Sequence, residues 1–181
     1  RQPQQSIMSS RSFRETTTDM AVLADAVSYH TRQIAEDLRS MKHAASQIRI
    51  SIHPSRHGDF MLHGSTLEAA LDVPSSDTIT LLQITNELLE KAFKEGVPYK
   101  KVGVTVGKLI SESTSQGSLF GDIVPTREKL MQVLDSVNAR AGKELLSVGT
   151  HLRGVSWQSR TDKVSPAYTT KWTDVAKVKA K

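Results

Sequence analysis

The run Gln47-Ile48-Arg49-Ile50-Ser51-Ile52-His53 alternates without a break, three isoleucines pointing one way and four polar side chains the other. Side chains of a strand point to opposite faces in turn, so this pattern makes a half-buried strand, and Pro54 ends it. A helical period would scatter the isoleucines around a cylinder instead. The run Lys101-Val102-Gly103-Val104-Thr105-Val106-Gly107-Lys108 alternates in the same way, with its valines on one side. Two such strands far apart in the chain need a common apolar cover on one face and tolerate water on the other. That requirement points to an open sheet with helices on a single face.

The remaining segments supply those parts. Ser6 to Phe13 is Ser-rich and free of helical periodicity, and reads as a first strand. Thr16-Thr17-Thr18-Asp19 offers N-cap residues, after which Met20, Leu23, Ala24, Val27, Thr31, Ile34 and Leu38 recur at three- and four-residue steps. This predicts one helix to about Arg39, with a single buried face and Asp25, Arg32, Glu36 and Asp37 on its outer side. After the Ile strand, a turn through Ser55–Asp59 leads to an expected third strand over Phe60–Leu67, forming a hairpin. Pro74-Ser75-Ser76-Asp77 caps a second helix carrying Leu81, Leu82, Leu88, Leu89, Ala92 and Phe93, which Gly96 and Pro98 stop. The order is βαββαβ, the ferredoxin-like order, and the expected fold is α+β: a four-stranded antiparallel sheet with two helices on one face. Beyond it, Pro125-Thr126 opens a third helix with Leu130, Val133, Leu134, Val137 and Ala141 on one side, closed by Gly142. Periodicity then fades, leaving Trp157, Tyr168 and Trp172 spaced through polar, basic sequence.

Composition narrows the function. With no cysteine among 181 residues, disulfides and thiolate metal sites are excluded. The lack of cysteine is compatible with the cytoplasmic home expected here; no apolar run approaches the length of a membrane span, and no charged-then-apolar signal sequence opens the chain. Beginning at Arg1 without methionine, the sequence reads as a piece of a larger protein. Residues 1–111 carry 13 Lys and Arg against 12 Asp and Glu, and residues 112–181 carry 11 against 7. Across the four expected strands stand Arg11, Arg49, Lys100, Lys101 and Lys108, with no acid; the acids fall on helices and in loops. The face opposite the isoleucines and valines would present Arg49, Ser51, His53, Lys101, Thr105 and two glycines. Such a mildly basic surface of hydroxyls and bare backbone suits a phosphate backbone approached without base reading, or else is a plain solvated face. It bears no aromatic residue on which bases could stack. His53, His57 and His63 flank the hairpin but have no cysteine partners and no ligand spacing, so no metal site is expected. Nor do the carboxylates cluster as two-metal catalysis requires.

Ser111–Pro125 (SESTSQGSLFGDIVP) lies between the periodic segments, and its Ser, Thr, Gly and Asp mark an exposed linker. An adjacent Leu119-Phe120 pair in such a setting either docks onto a partner or folds back onto the domain's own core. With Gln116 three residues ahead, the pentapeptide resembles the bacterial sliding-clamp-binding motif glutamine-any-any-leucine-phenylalanine. Gly117 stands where the strongest such motifs have leucine, which implies modest affinity.

A wider resemblance surrounds this motif. Ser9-Ser10-Arg11-Ser12-Phe13, the first helix, the Ile strand, the hairpin and Tyr99-Lys100-Lys101-Val102-Gly103-Val104 resemble the little-finger domain of Y-family DNA polymerases, in particular its UmuC form. Leu130-Met131-Gln132-Val133-Leu134-Asp135 and Ser165-Pro166-Ala167-Tyr168-Thr169-Thr170-Lys171-Trp172 resemble the C-terminal extension of UmuC-type chains. The resemblance implies three parts: a DNA-binding little finger over 1–111, a linker with the clamp motif over 112–125, and the extension over 126–181. It implies that Ser9, Ser10, Arg11, Arg49, Lys101, Ser65 and Thr66 approach the backbone of duplex primer–template DNA. It also implies that Gln116, Leu119 and Phe120 engage the sliding clamp. His63-Gly64-Ser65-Thr66 falls where relatives often carry arginines, and this chain has none there. The polymerase active site, with its magnesium, would lie upstream of Arg1, leaving this chain without catalytic residues or a cofactor of its own. RecA and a UmuD-type subunit are further partners implied by the family, and error-prone translesion synthesis in the bacterial nucleoid is the implied setting. The competing readings are a free-standing ferredoxin-like module that binds a ligand or protein, and an adaptor that only recruits the clamp.

Overall fold

The computed structural model describes residues 4–55, 64–111, 127–142 and 144–149, and positions 157, 166, 169, 170 and 173. Seven elements follow one another: β1 (Ser6–Thr17), α1 (Met20–Ser40), β2 (His43–Pro54), β3 (Ser65–Ser75), α2 (Thr78–Ala92), β4 (Tyr99–Ser111) and α3 (Glu128–Ala141). The strands form one sheet in the order β1-β4-β2-β3, antiparallel throughout. The last strand is thus inserted between the first and the second, and the two strands with unbroken alternation become the inner pair. Ile48, Ile50 and Ile52 lie opposite Val106, Val104 and Val102 in register, and all six are fully buried. Helices α1 and α2 cover that side through Leu23, Val27, Ile34, Leu38, Leu81 and Leu89. Among the described residues no helix is long and apolar enough to cross a membrane.

Local chemistry sets the helix ends. Asp19 caps α1 by accepting from the Ala21 amide at 2.8 Å. Asp77 caps α2, its Oδ2 accepting from the Thr80 amide at 2.9 Å and the Thr80 hydroxyl at 2.7 Å. Each replaces a water lost by a helix-end N–H, worth about 1 kcal/mol. Past α2, Gly96 takes φ 78°, a left-handed turn that an L side chain adopts only with strain.

Three expectations from sequence are corrected. The third strand runs over Ser65–Ser75, not Phe60–Leu67; residues 60–63 lie outside the described residues. Leu67, Ala69 and Leu71 pack against the core while Thr66, Glu68, Ala70 and Asp72 are exposed, so the period-two pattern simply begins later. The shift brings Glu68 and Asp72 into the sheet, and the run of β1 to Thr17 brings Glu15, so the strands carry the acids they seemed to lack.

The second correction concerns the outer side of α1. Asp25 and Arg32 are 4% and 6% exposed, because the C-terminal extension packs over them. The Trp157 indole Nε1 donates to Asp25 Oδ2 at 2.7 Å. Arg32 donates to Glu144 Oε1 at 2.5 Å and to the Val148 carbonyl at 3.3 Å. Arg39 forks onto both oxygens of Asp135 on α3, at 2.6 and 2.7 Å, and also donates to Ser76 O and Thr78 Oγ1. The apolar side of α1 is covered by the sheet and its polar side by the extension, and the domain gains a third layer.

The third correction concerns α3. Met131 is its buried residue, whereas Leu130 and Val133, which the spacing sets on one side with Leu134, Val137 and Ala141, are exposed. The ion pairs of Asp135 with Arg39 and of Arg127 with Asp77 rotate the helix away from its most apolar stripe.

If Arg39 is what seats α3, Arg39→Ala should speed hydrogen exchange across Glu128–Ala141 at least tenfold and leave β2 and β4 protected. Losing charge-assisted hydrogen bonds of this kind costs on the order of 1–3 kcal/mol. Equal loosening of α3 and the inner strands would show that the pair supports the whole fold instead.

Candidate nucleic-acid interface

The sheet face away from the helices is uncovered, and strand register places its residues in rows that cross the sheet. One row reads Ser10, Gly103, Ser51, Thr66 from β1 to β3. On one side of it lies the row Ser12, Lys101, His53, and on the other Met8, Thr105, Arg49, Glu68. The central row holds nothing larger than threonine, so it forms a shallow trough crossing the sheet, lined by hydroxyls. Gly103 keeps it open: a Cβ there would stand 2.8 Å from Ser10 Cβ and 3.1 Å from Ser51 Oγ, closer than side chains pack. Ser51 Oγ already donates back to the Gly103 carbonyl at 3.4 Å.

Of the seven residues expected to approach DNA, Ser10, Arg49, Lys101 and Thr66 stand on this open face. Ser9, Arg11 and Ser65 do not. Neighbours along a strand point to opposite sides, so Ser9, Ser10 and Arg11 cannot present their side chains together. Ser9, Arg11 and Ser65 fall opposite Val104, Val102 and Ile52, on the helical side. Residues the expectation omitted, Ser12, Gln47 and the exposed Met8, complete the open face, and the alternation could have placed them. Gln116, Leu119 and Phe120 lie outside the described residues, as do His57 and His63. Among the described residues no group of three or more His, Asp or Glu is placed to hold a metal ion.

The electrostatics of the face are nearly balanced. Arg49 donates to Glu68 Oε2 through Nη2 at 2.6 Å and through Nε at 3.0 Å, across the β2–β3 pair. Both side chains are about half exposed, at 49% and 50%, so the pair is screened and adds little to stability, but it ties up the guanidinium. Lys101 is exposed on the same face. Lys100 points elsewhere and donates to the Arg14 carbonyl at 2.7 Å.

Behind β1 lies a buried polar contact that sequence reasoning did not single out. Ser9 Oγ and His30 Nδ1 are 2.7 Å apart, and His30 is 2% exposed. Its Nε2 is buried without a hydrogen-bond partner. The ring packs against Tyr29 and Trp157, at centroid distances of 5.4 and 5.7 Å. Burial first, and then the nearby Arg11 charge, lower the imidazole pKa from its usual 6.5 to about 4.

A compact α+β domain carrying one bare, hydroxyl-lined sheet surface is the class that this geometry defines. The pattern of the impB/mucB/samB family C-terminal domain matches residues 4–119, and that of a domain of unknown function (DUF4113) matches 128–178. The chain belongs to the impB/mucB/samB family and is a UmuC-type C-terminal region. It is 31% identical over 178 residues to protein UmuC of Salmonella typhimurium, covering 97% of this chain and 42% of that one. Protein SamB of Salmonella typhimurium is 30% identical, with 98% and 42% covered. The chain thus spans about two-fifths of the length of these curated relatives. Among solved structures, it is similar to a Y-family DNA polymerase chimera, with a TM-score of 0.49 at 12% identity, over 61% of this chain and 30% of that one. It is also similar to a complex of the beta-clamp processivity factor and the little finger domain of PolIV, with a TM-score of 0.46 at 13% identity, over 64% and 99%.

The lowered His30 pKa has a definite sign. The folded form holds the ring neutral down to about 4, while the unfolded chain takes up the proton near 6.5, so the unfolded state binds more protons between these values. The stability His30 contributes is therefore complete above about pH 6.5 and lost as pH falls toward 4, by on the order of 3 kcal/mol. Denaturant unfolding of wild type and His30→Gln across that window should show the slope in the former and a flatter profile in the latter. Parallel profiles would mean that the ring is not the group responsible.

Proposed function

We propose that this chain is the non-catalytic C-terminal part of an error-prone translesion DNA polymerase of the Y family. It lays its open sheet on the backbone of primer–template duplex and tethers the enzyme to the sliding clamp. The observation that carries the DNA reading is the trough of Ser10, Gly103, Ser51 and Thr66. Its hydroxyls can donate to phosphate oxygens without distinguishing bases, and the bare backbone at Gly103 lets a sugar–phosphate strand come close. Lys101 adds one charge from the adjoining row, and Arg49 a second when phosphate competes with Glu68 for it. The catalytic carboxylates and their magnesium belong to the part of the relatives' length beyond this chain.

The clamp reading rests on Gln116, Leu119 and Phe120, with Gly117 and Ser118 as spacers. Two apolar side chains entering a hydrophobic cleft supply about 1.5–3 kcal/mol each, which after ordering costs leaves an affinity in the micromolar range. A tether of that strength suffices, because it makes the encounter with the primer end effectively intramolecular. RecA and a UmuD-type subunit are the partners to test next, in a bacterial nucleoid setting.

Two measurements test this. Binding to a primer–template duplex should be tolerant of sequence, with log K falling against log salt at a slope of about −2 for two neutralised phosphates. Lys101→Ala should remove about one unit of that slope. Glu68→Gln should tighten binding at a fixed salt concentration by releasing Arg49, whereas a salt-independent affinity would reject the mechanism. For the clamp, Leu119→Ala with Phe120→Ala should abolish binding to the bacterial clamp and leave the thermal midpoint within a degree or two. A double variant that unfolds the domain would assign the pair to the core instead.

A further inference from the structure

β1 is an edge strand, held by a backbone ladder to β4 on one side only, and its register shifts between Ser12 and Thr17. An edge held this way depends on what packs behind it. Two of its inward residues meet the same side chain of the C-terminal extension. Phe13 stands edge-on to Trp157 at 6.0 Å between ring centroids. Ser9 reaches Trp157 through His30, whose Nδ1 lies 2.7 Å from Ser9 Oγ and whose ring lies 5.7 Å from the indole. The indole is itself fixed by Tyr29 at 5.5 Å and by the bond from its Nε1 to Asp25. It is 7% exposed, at a position 132 residues from Asp25 in the chain. Between the two braced residues lies Ser10, whose Cβ closes one end of the trough against Gly103.

We propose that Trp157 is a positioning residue for the nucleic-acid face: the extension braces the edge strand of the DNA-binding sheet from behind, through Phe13 and through the His30–Ser9 contact. The extension therefore influences DNA binding from the side of the domain that DNA does not touch. Any partner that draws the indole out of its box releases β1 and weakens the trough at Ser10. A Phe at 157 keeps a ring against His30 and Phe13 and loses only the bond to Asp25, so it preserves most of the brace. Ser9→Ala cuts the His30 branch and leaves the Phe13 branch in place. The brace is a property of the fold, and only its effect on DNA rests on the proposed function.

The test uses the whole 181-residue chain. Hydrogen exchange of peptides over residues 6–13 should quicken about tenfold in Trp157→Ala and severalfold in Ser9→Ala, and stay near wild type in Trp157→Phe. Peptides over Ile48–Ile52 and α2 should be unchanged in all three. Affinity for a primer–template duplex at one fixed salt concentration should fall in the same order. An unchanged 6–13 segment, or exchange that quickens equally in β1, β2 and β4, overturns the proposal, the latter because it marks a general loss of stability. If wild type binds no DNA, the proposed function fails while the exchange results still decide whether the brace exists.

Discussion

The ladder between β2 and β4 runs in register from His43 opposite Ser111 to Pro54 opposite Tyr99, with a shift only at its last pair. Every other part of the domain is placed by it. Its inner side sets three isoleucines against three valines, all fully buried, and that surface fixes where α1 and α2 must lie. Its outer side carries Gly103 opposite Ser51, so the same register that builds the core also builds the floor of the trough. A slip of β2 by one residue would turn that strand over, burying Arg49 and exposing the isoleucines. The apolar face leaves no tolerance for that slip, and the position of the open-face residues is inherited from the core without a separate mechanism.

The helix layer has a less usual feature, which is that α1 is buried nearly all round. Toward the sheet it presents Leu23, Val27, Ile34 and Leu38, and toward the extension Asp25, Arg32 and, partly, Arg39. Polar residues become an interface here because each finds a matched partner. Asp25 accepts from an indole, Arg32 meets Glu144, and Arg39 forks onto Asp135. Pairs removed from water in this way contribute little net stability beside an apolar contact, but they fix orientation, since a mismatch would leave a charge unpaired. That explains why α3 sits with Leu130 and Val133 outward. Charge geometry outweighs the burial of two side chains that can remain in water at modest cost.

On the open face the chemistry is restrained. One cation is tied to an acid across the strands, another is exposed, and the centre is made of hydroxyls and glycine. A surface of this kind suits a sliding contact with many sequences better than a tight, specific one. Under the proposed function, such a surface would rely on a separate tether, and on the brace behind its edge strand, to extend its residence at DNA.

Much of this architecture was legible from the chain alone. Alternation in Gln47–His53 and Lys101–Lys108, the capping aspartates Asp19 and Asp77, and Gly142 beyond the last helix are local signals whose physics needs no distant partner. The same alternation determined that Arg49, Ser51, Lys101 and Thr105 share a face. Other features depended on contacts between remote segments. The late start of β3, which brought Glu68 beside Arg49, follows from pairing with β2, because Leu67 and Ala69 take register opposite Ile50 and Ile48. The burial of Asp25 and Arg32 arises because residues more than a hundred positions away return to cover them, and a polar helix face has the same pattern whether water or a matched partner covers it. The Ser9–His30–Trp157 contact belongs to this second group. Periodicity determines which way a side chain points, and only the tertiary structure decides what it meets.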